Sequence, residues 1–161
     1  MIPHGVHLSI LNTRQTRPMI EDRCAQILLI DDSRGDAILA AHAFRGAKLA
    51  AELAVAVSGE DAVARLRSRE PLPHLIMLDL QLPKMSGLEV LRTIKTDEHL
   101  KHIPVIVLSN SGDEHNITRC YRLYANAYII KPVDLASYCD AVRLIERFYF
   151  HLATLAVTKN S

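Results

Sequence analysis

The chain has 161 residues, with 19 basic and 18 acidic side chains and a formal net charge of +1. That length suits one domain with a single sizeable core, and the near-neutral balance gives no electrostatic basis for binding nucleic acid. Three cysteines without CxxC spacing speak against a disulfide scaffold, and no apolar run reaches the roughly 18 residues of a membrane span. The N-terminus lacks the positive start and apolar core of a signal peptide, so a soluble cytoplasmic protein is expected.

Residues 1–25 read as a tail outside the domain. Five short apolar runs follow: Ile27–Ile30, Leu53–Val57, Leu75–Leu78, Val105–Leu108 and Tyr128–Ile130. Each has the length of a buried strand, the Ala-rich second run being the weakest. The segments between them carry helical spacing, as in Leu88, Leu91, Ile94 and in Ile117, Cys120, Tyr121, Tyr124. Four of these segments open with the same signal: "SRGD" (33–36), "SGED" (58–61), "SGLE" (86–89) and "SGDE" (111–114). In each, Ser stands three residues before an acid, the spacing of a capping box. Asp134 is placed to cap a fifth helix. The regular alternation from about residue 26 predicts an α/β fold: a doubly wound, five-stranded parallel sheet with helices on both faces. Neither GxGxxG nor a P-loop is present, so nucleotide binding lacks its usual mark.

The last helix is expected to run from Leu135 to about Val157. One apolar stripe is Leu135, Tyr138, Val142, Ile145, Tyr149 and Leu152; a second is Ala141, Leu144, Phe148 and Leu155. One stripe suffices to pack on the sheet, so the second predicts a partner, and a homodimer built on this helix is expected. Residues 148–161 would then be an extension beyond a domain of residues 26–147. The alternative is that the second stripe covers other parts of the chain, such as the N-terminal tail.

In an open parallel sheet, ligands bind beyond the carboxyl ends of the strands. Strand 1 ends in Asp31-Asp32, strand 3 in Asp79 and strand 4 in Ser109, and strand 5 runs into Lys131-Pro132. Three converging carboxylates repel one another, and a divalent cation relieves that repulsion. An all-oxygen donor set suits Mg²⁺. Lysine adds a point charge for phosphate and serine a hydroxyl. Such a set can accept a phosphoryl group on a carboxylate. Any one of these residues alone is more simply a cap, a turn or a surface charge; their joint position at four strand ends is what points to chemistry.

The motifs "LLIDDS", "LIMLDLQLPKMSGLEVL", "IPVIVLSNS" and "AYIIKPVD" resemble the CheY-like receiver domains of two-component response regulators. The resemblance implies a flavodoxin-like sheet in the order 2-1-3-4-5. It implies that Asp79 is the phosphoacceptor and that Asp31, Asp32, Asp79 and the Gln81 backbone carbonyl hold Mg²⁺. Ser109 and Lys131 match the phosphate contacts, Tyr128 matches the aromatic switch residue, and Lys131–Pro132 matches a bond that is commonly cis. "DDSRGDA", "IKTDEHLKHIPVIVLSNS", "YANAYIIKPVD" and "IERFY" further resemble small regulators paired with phytochrome-type histidine kinases, which have no attached output domain. Where the family often has Gly, this chain has Tyr124, so the left-handed residue that ends the fourth helix is either Tyr124 or Asn126.

Two other functions compete. A Mg²⁺-dependent phosphohydrolase with an aspartyl nucleophile needs an acid two residues after the nucleophile, and this chain has Gln81 there. A phosphorylation-independent pseudo-receiver would have lost an acid or the lysine, and all five residues are present.

Overall fold

Alternation of side chains along each strand divides the core between two faces of one sheet. The computed structural model describes residues 24–45, 51–68 and 71–155. In chain order these form β1 (Ala25–Ile30), α1 (Arg34–Arg45), β2 (Ala51–Ala56), α2 (Gly59–Arg67), β3 (Leu75–Asp79), α3 (Gly87–Thr96), β4 (Val105–Ser109), α4 (Glu114–Arg122), β5 (Ala127–Ile130) and α5 (Leu135–Glu146). All pairings are parallel, in the order β2-β1-β3-β4-β5. Leu28, Ile30, Ile76 and Leu78 face α2, α3 and α4, while Ile27, Leu29, Leu75 and Met77 face α1 and α5. A strand buried on both faces reads as a continuous apolar run, which is why β1, β3 and β4 stand out in the sequence. The second strand begins at Ala51 rather than Leu53 and stops at Ala56. It lies at the sheet edge, with Glu52 and Ala54 exposed.

Of the four capping boxes expected, one is complete. Ser86 Oγ accepts from Glu89 N, and the Glu89 carboxylate accepts from Ser86 N at 2.8 Å. At α2, Ser58 Oγ accepts from Asp61 N, but the Asp61 carboxylate pairs with Arg65. At α4 the cap is Asp113, accepting from His115 N and Asn116 N, while Ser111 Oγ accepts from Asp113 N. At α1, Ser33 Oγ accepts from Asp36 N, yet the Asp36 carboxylate turns elsewhere. Asp134 caps α5 through Ser137 N, as expected.

The β3–α3 loop returns tightly over the end of β3. Lys84, following Pro83, has φ 63°, and Gly87 N donates to Leu80 O at 3.0 Å. A Cβ on Gly87 would lie 2.5 Å from Leu80 Cα and closer still to the Asp79 carbonyl oxygen. Only glycine lets α3 start so near the backbone of Asp79.

The final helix departs from expectation. After Glu146 it widens into a π-helical turn, Arg147–Leu152, and Ala153 is extended with ψ 150°. The helix therefore stops at Leu152, short of Val157, which lies outside the described residues. The wide turn adds one residue to the repeat, so the apolar position after Ile145 falls at Phe150, which is buried, while Tyr149 is half-buried. It also brings Glu146 and His151, five residues apart, within 2.7 Å (Oε1 to Nε2). Tyr138 and Val142 are buried as expected, but Leu135 and Leu152 are exposed. Of the second stripe, Leu144 and Phe148 are exposed, whereas Leu155 packs back onto the α1–α5 core. Apart from Cys24 and Ala25, the N-terminal tail lies outside the described residues.

Tyr124 rather than Asn126 takes the left-handed conformation, with φ 64°. Asn126 is occupied otherwise: its side-chain oxygen accepts from Val105 N and Lys95 Nζ. A left-handed conformation costs a residue with a Cβ about 1–2 kcal/mol. Tyr124 is largely exposed, so little packing offsets that cost. Tyr124→Gly is expected to stabilise the fold by about 0.5–1 kcal/mol, read as a higher urea midpoint with an unchanged m-value. A lower midpoint would mean that the ring makes contacts worth more than the strain.

Candidate functional site

The register of the central strands brings the polar residues to one edge. Leu78 pairs with Ile30, so Asp79 and Asp31 both lie one residue beyond that pair on adjacent strands. Ser109 pairs with Ile130, which puts Lys131 one residue further along β5. The edge is therefore built by topology rather than by proximity in sequence.

Lys131 is the centre of the cluster. Its Nζ donates to Asp31 Oδ2 at 2.8 Å, Asp36 Oδ2 at 2.7 Å and Asp79 Oδ2 at 2.9 Å. An ammonium has three N–H groups, and all three are used. Lys131, Asp31 and Asp79 are all buried. Burial alone would depress the lysine, but the hydrogen bonds to Asp31, Asp36 and Asp79 outweigh it and hold the ammonium well above its ordinary pKa. Burial raises the Asp31 carboxyl, and the contacts from Lys131 and Ser33 N–H offset only part of that.

Oxygen atoms of Asp31, Asp32 and Asp79 all lie within 4.8 Å of one another, and Asp32 is exposed. Three carboxylates with one side open to solvent fit a hard divalent cation that keeps several waters. Gln81 N donates to Asp79 Oδ1 at 3.0 Å, which folds the β3–α3 loop over the acid.

Ser109 and Tyr128 meet through a third residue. Ser109 Oγ accepts from Ser111 N at 3.2 Å, and the Tyr128 hydroxyl donates to Ser111 O at 2.6 Å. Lys131 N donates to Ser109 O at 2.8 Å. Thus the β4–α4 loop is tied to both strands that border the pocket. All the residues expected at the site are at this edge, with one correction. The Lys131–Pro132 bond is trans, since no cis peptide occurs among the described residues. The lysine side chain is long enough to reach all three acids from a trans bond.

Sequence reading missed Asp36. Its spacing from Ser33 marked it as a capping acid, and nothing local separates that role from a pocket role. It also missed Tyr138 of α5, whose buried hydroxyl has no hydrogen-bond partner. Burial first, then the Asp36 carboxylate, push that phenol up to about 12.

Lys131→Met removes the only cation touching Asp31 and Asp79 among the described residues. Breaking a buried ion pair from one side costs about 3–5 kcal/mol. In chelator the variant is expected to melt well below the parent. Mg²⁺ is expected to raise its melting temperature by more than it raises the parent's, because the ion replaces the missing charge. Equal shifts in the two proteins would place metal binding away from this cluster.

Three comparisons bear on what this edge is. Residues 27–143 match the model of the response regulator receiver domain. Response regulator Rcp1 of Synechocystis is 37% identical over 134 residues, which are 80% of this chain and 91% of that protein. The crystal structure of the phosphorylated cyanobacterial phytochrome response regulator RcpA superposes with a TM-score of 0.80 at 37% identity, covering 83% of this chain and 99% of that one. The Mn²⁺-bound form of Rcp1 gives 0.78 at 36% identity, with the same coverage. Receiver domains bind divalent metal and take their signal from a histidine kinase. A sheet edge with three acids, a hydroxyl and a buried lysine, on a fold shared with these proteins, makes this chain a member of the response regulator receiver family, homologous to the phytochrome response regulators.

Proposed function

We propose that this protein accepts a phosphoryl group from a phytochrome-type histidine kinase onto Asp79, with Mg²⁺ as the cation. The observation that carries this reading is Lys131 bridging Asp31 and Asp79 at the open edge of the sheet. An oxygen of Asp79 bonds to phosphorus as the P–N bond of the kinase's phosphohistidine breaks, and the imidazole nitrogen keeps the electron pair. When bound, Mg²⁺ neutralises charge on the phosphoryl oxygens. Asp31, Asp32, Asp79 and the Gln81 carbonyl would hold it. Lys131 turns N–H groups from the acids to the phosphoryl oxygens, and the Ser109 hydroxyl donates to another. Tyr128 follows Ser109 through their shared contact with Ser111. The protein catalyses only its own phosphorylation and dephosphorylation. Gln81 in place of an acid argues against a turnover phosphohydrolase, because nothing there can protonate a leaving group.

Incubation with a small acyl phosphate and Mg²⁺ is expected to add one phosphoryl group to the parent and none to Asp79→Asn, read by intact mass. Equal uptake by both would place the acceptor elsewhere.

The output of this reading is a homodimer through the last helix, with no nucleic acid and no membrane among its partners. No helix of the described residues is long and apolar enough to cross a membrane. Support for the dimer is the exposure of Leu144, Phe148 and Leu152, at 65%, 51% and 66%. Exposed large apolar side chains at one end of the chain's last helix are of the kind that mark interaction sites. Phe148→Glu together with Leu144→Glu is expected to leave the fold intact and convert a dimer into a monomer in light scattering. A parent that is monomeric with and without phosphorylation would overturn the dimer.

A further inference from the structure

Asp36 stands in the first turn of α1, outside the set of acids that converge for a metal. Its carboxylate nevertheless makes the shortest of the three contacts to Lys131, at 2.7 Å. The local sequence offers it another role. At α3, Ser86 and Glu89 have the same spacing, and there the acid accepts from the Ser86 backbone N–H. At α1 the equivalent N–H, of Ser33, donates to Asp31 Oδ1 instead, at 2.8 Å. That exchange leaves the Asp36 carboxylate free to reach across to β5. Helix α1 gives up half of its cap, and the lysine gains a third acceptor.

The three acceptors differ in what phosphorylation does to them. Asp79 becomes an acyl phosphate and its contact to Lys131 changes. Asp31 would share its oxygens with the cation. Asp36 does neither, so its contact can persist in both states. We propose that Asp36 is a positioning residue for the transfer: it holds the Lys131 ammonium at a fixed point and aims the other two N–H groups at the Asp79 side of the pocket. This rests on Asp79 being the phosphoacceptor. Without the anchor, a four-carbon side chain must be ordered within the transition state, and misplacement on the ångström scale costs rate rather than donor affinity.

The test uses the full chain as wild type, Asp36→Ala, Asp36→Glu and Asp79→Asn. Phosphoryl uptake from a small acyl phosphate is followed against donor concentration with saturating Mg²⁺. Asp36→Ala is expected to lower the saturating rate about tenfold, with the half-saturating donor concentration changed less than twofold, and Asp36→Glu to recover most of the rate. A second readout needs neither metal nor donor: the ¹⁵N ammonium resonance of Lys131, assigned with Lys131→Arg. It is expected to be sharp in wild type and Asp36→Glu, and broadened by exchange in Asp36→Ala. Should Asp36→Ala not fold, Asp36→Asn replaces it. A wild-type rate and an unchanged Lys131 resonance in the Asp36 variant would overturn the proposal. So would equal loss of rate in the Ala and Glu variants alongside equally lowered melting temperatures, since that is a structural effect. If Asp79→Asn takes up phosphate like wild type, the phosphoacceptor assignment fails and the proposed role for Asp36 falls with it, while the resonance still reports whether Asp36 holds the lysine.

Discussion

A buried ammonium surrounded by three carboxylates is the constraint that orders the rest of this molecule. Lys131 arrives from β5, Asp31 from β1, Asp79 from β3 and Asp36 from α1, so one side chain joins four elements. Removing such charges from water costs several kcal/mol per ion, repaid only when hydrogen bonds saturate every donor. Here the lysine is saturated, but the acids are not neutralised: three carboxylates face one ammonium, with Asp32 at the rim. The lysine ties the elements together, while the excess negative charge leaves a repulsion among the carboxylates. Under the proposed function a cation would complete the charge balance, and a phosphoryl group would then compete with the carboxylates for the lysine.

A change in the pocket has a short physical route to the surface. Ser109 and Tyr128 both bond to Ser111, one through its N–H and the other through its carbonyl. The Tyr128 backbone N–H also donates to the Tyr121 hydroxyl on α4. Under the proposed function, movement of the Ser109 hydroxyl toward a phosphoryl oxygen would give up its bond to Ser111 N and loosen the loop that holds the Tyr128 ring. Tyr121, Tyr124, Ile130, Val133 and Leu135 are exposed on α4, on β5 and around them. These contacts form one continuous chain from the pocket to the α4–β5 surface.

The parts of this design that the sequence made legible are those set by period and position. Alternating burial on a doubly covered sheet produces the apolar runs, and the strand ends mark Asp31, Asp32, Asp79, Ser109 and Lys131. What was not legible depends on which of two local bonds forms. "SRGD" and "SGLE" have the same spacing, yet Glu89 caps its helix and Asp36 holds a lysine 95 residues away. The difference lies in Asp31, which takes the Ser33 N–H and has no counterpart before α3. Likewise Tyr124 and Asn126 compete for the left-handed position. The outcome was decided by Asn126 bonding to β4 and Lys95, partners distant in sequence.

The π-helical turn shows the same dependence on tertiary context and bears on how the surface works. "IERFYFHLA" contains no proline or glycine to end a helix, so periodicity predicts a straight continuation. An unbroken α-helix after Ile145 would turn Tyr149 inward. One extra residue in the turn buries Phe150 instead, and lets the otherwise lone buried carboxylate of Glu146 reach His151. The burial of one aromatic and the pairing of one acid therefore support the same widened turn. Phe148 is left outside as a result, edge-on against Tyr149 with ring centroids 5.0 Å apart. The Tyr149 ring next to it is half-buried against the α1–α5 core. An aromatic side chain has only two torsions to fix when it is covered, the property that favours aromatic anchors at protein interfaces.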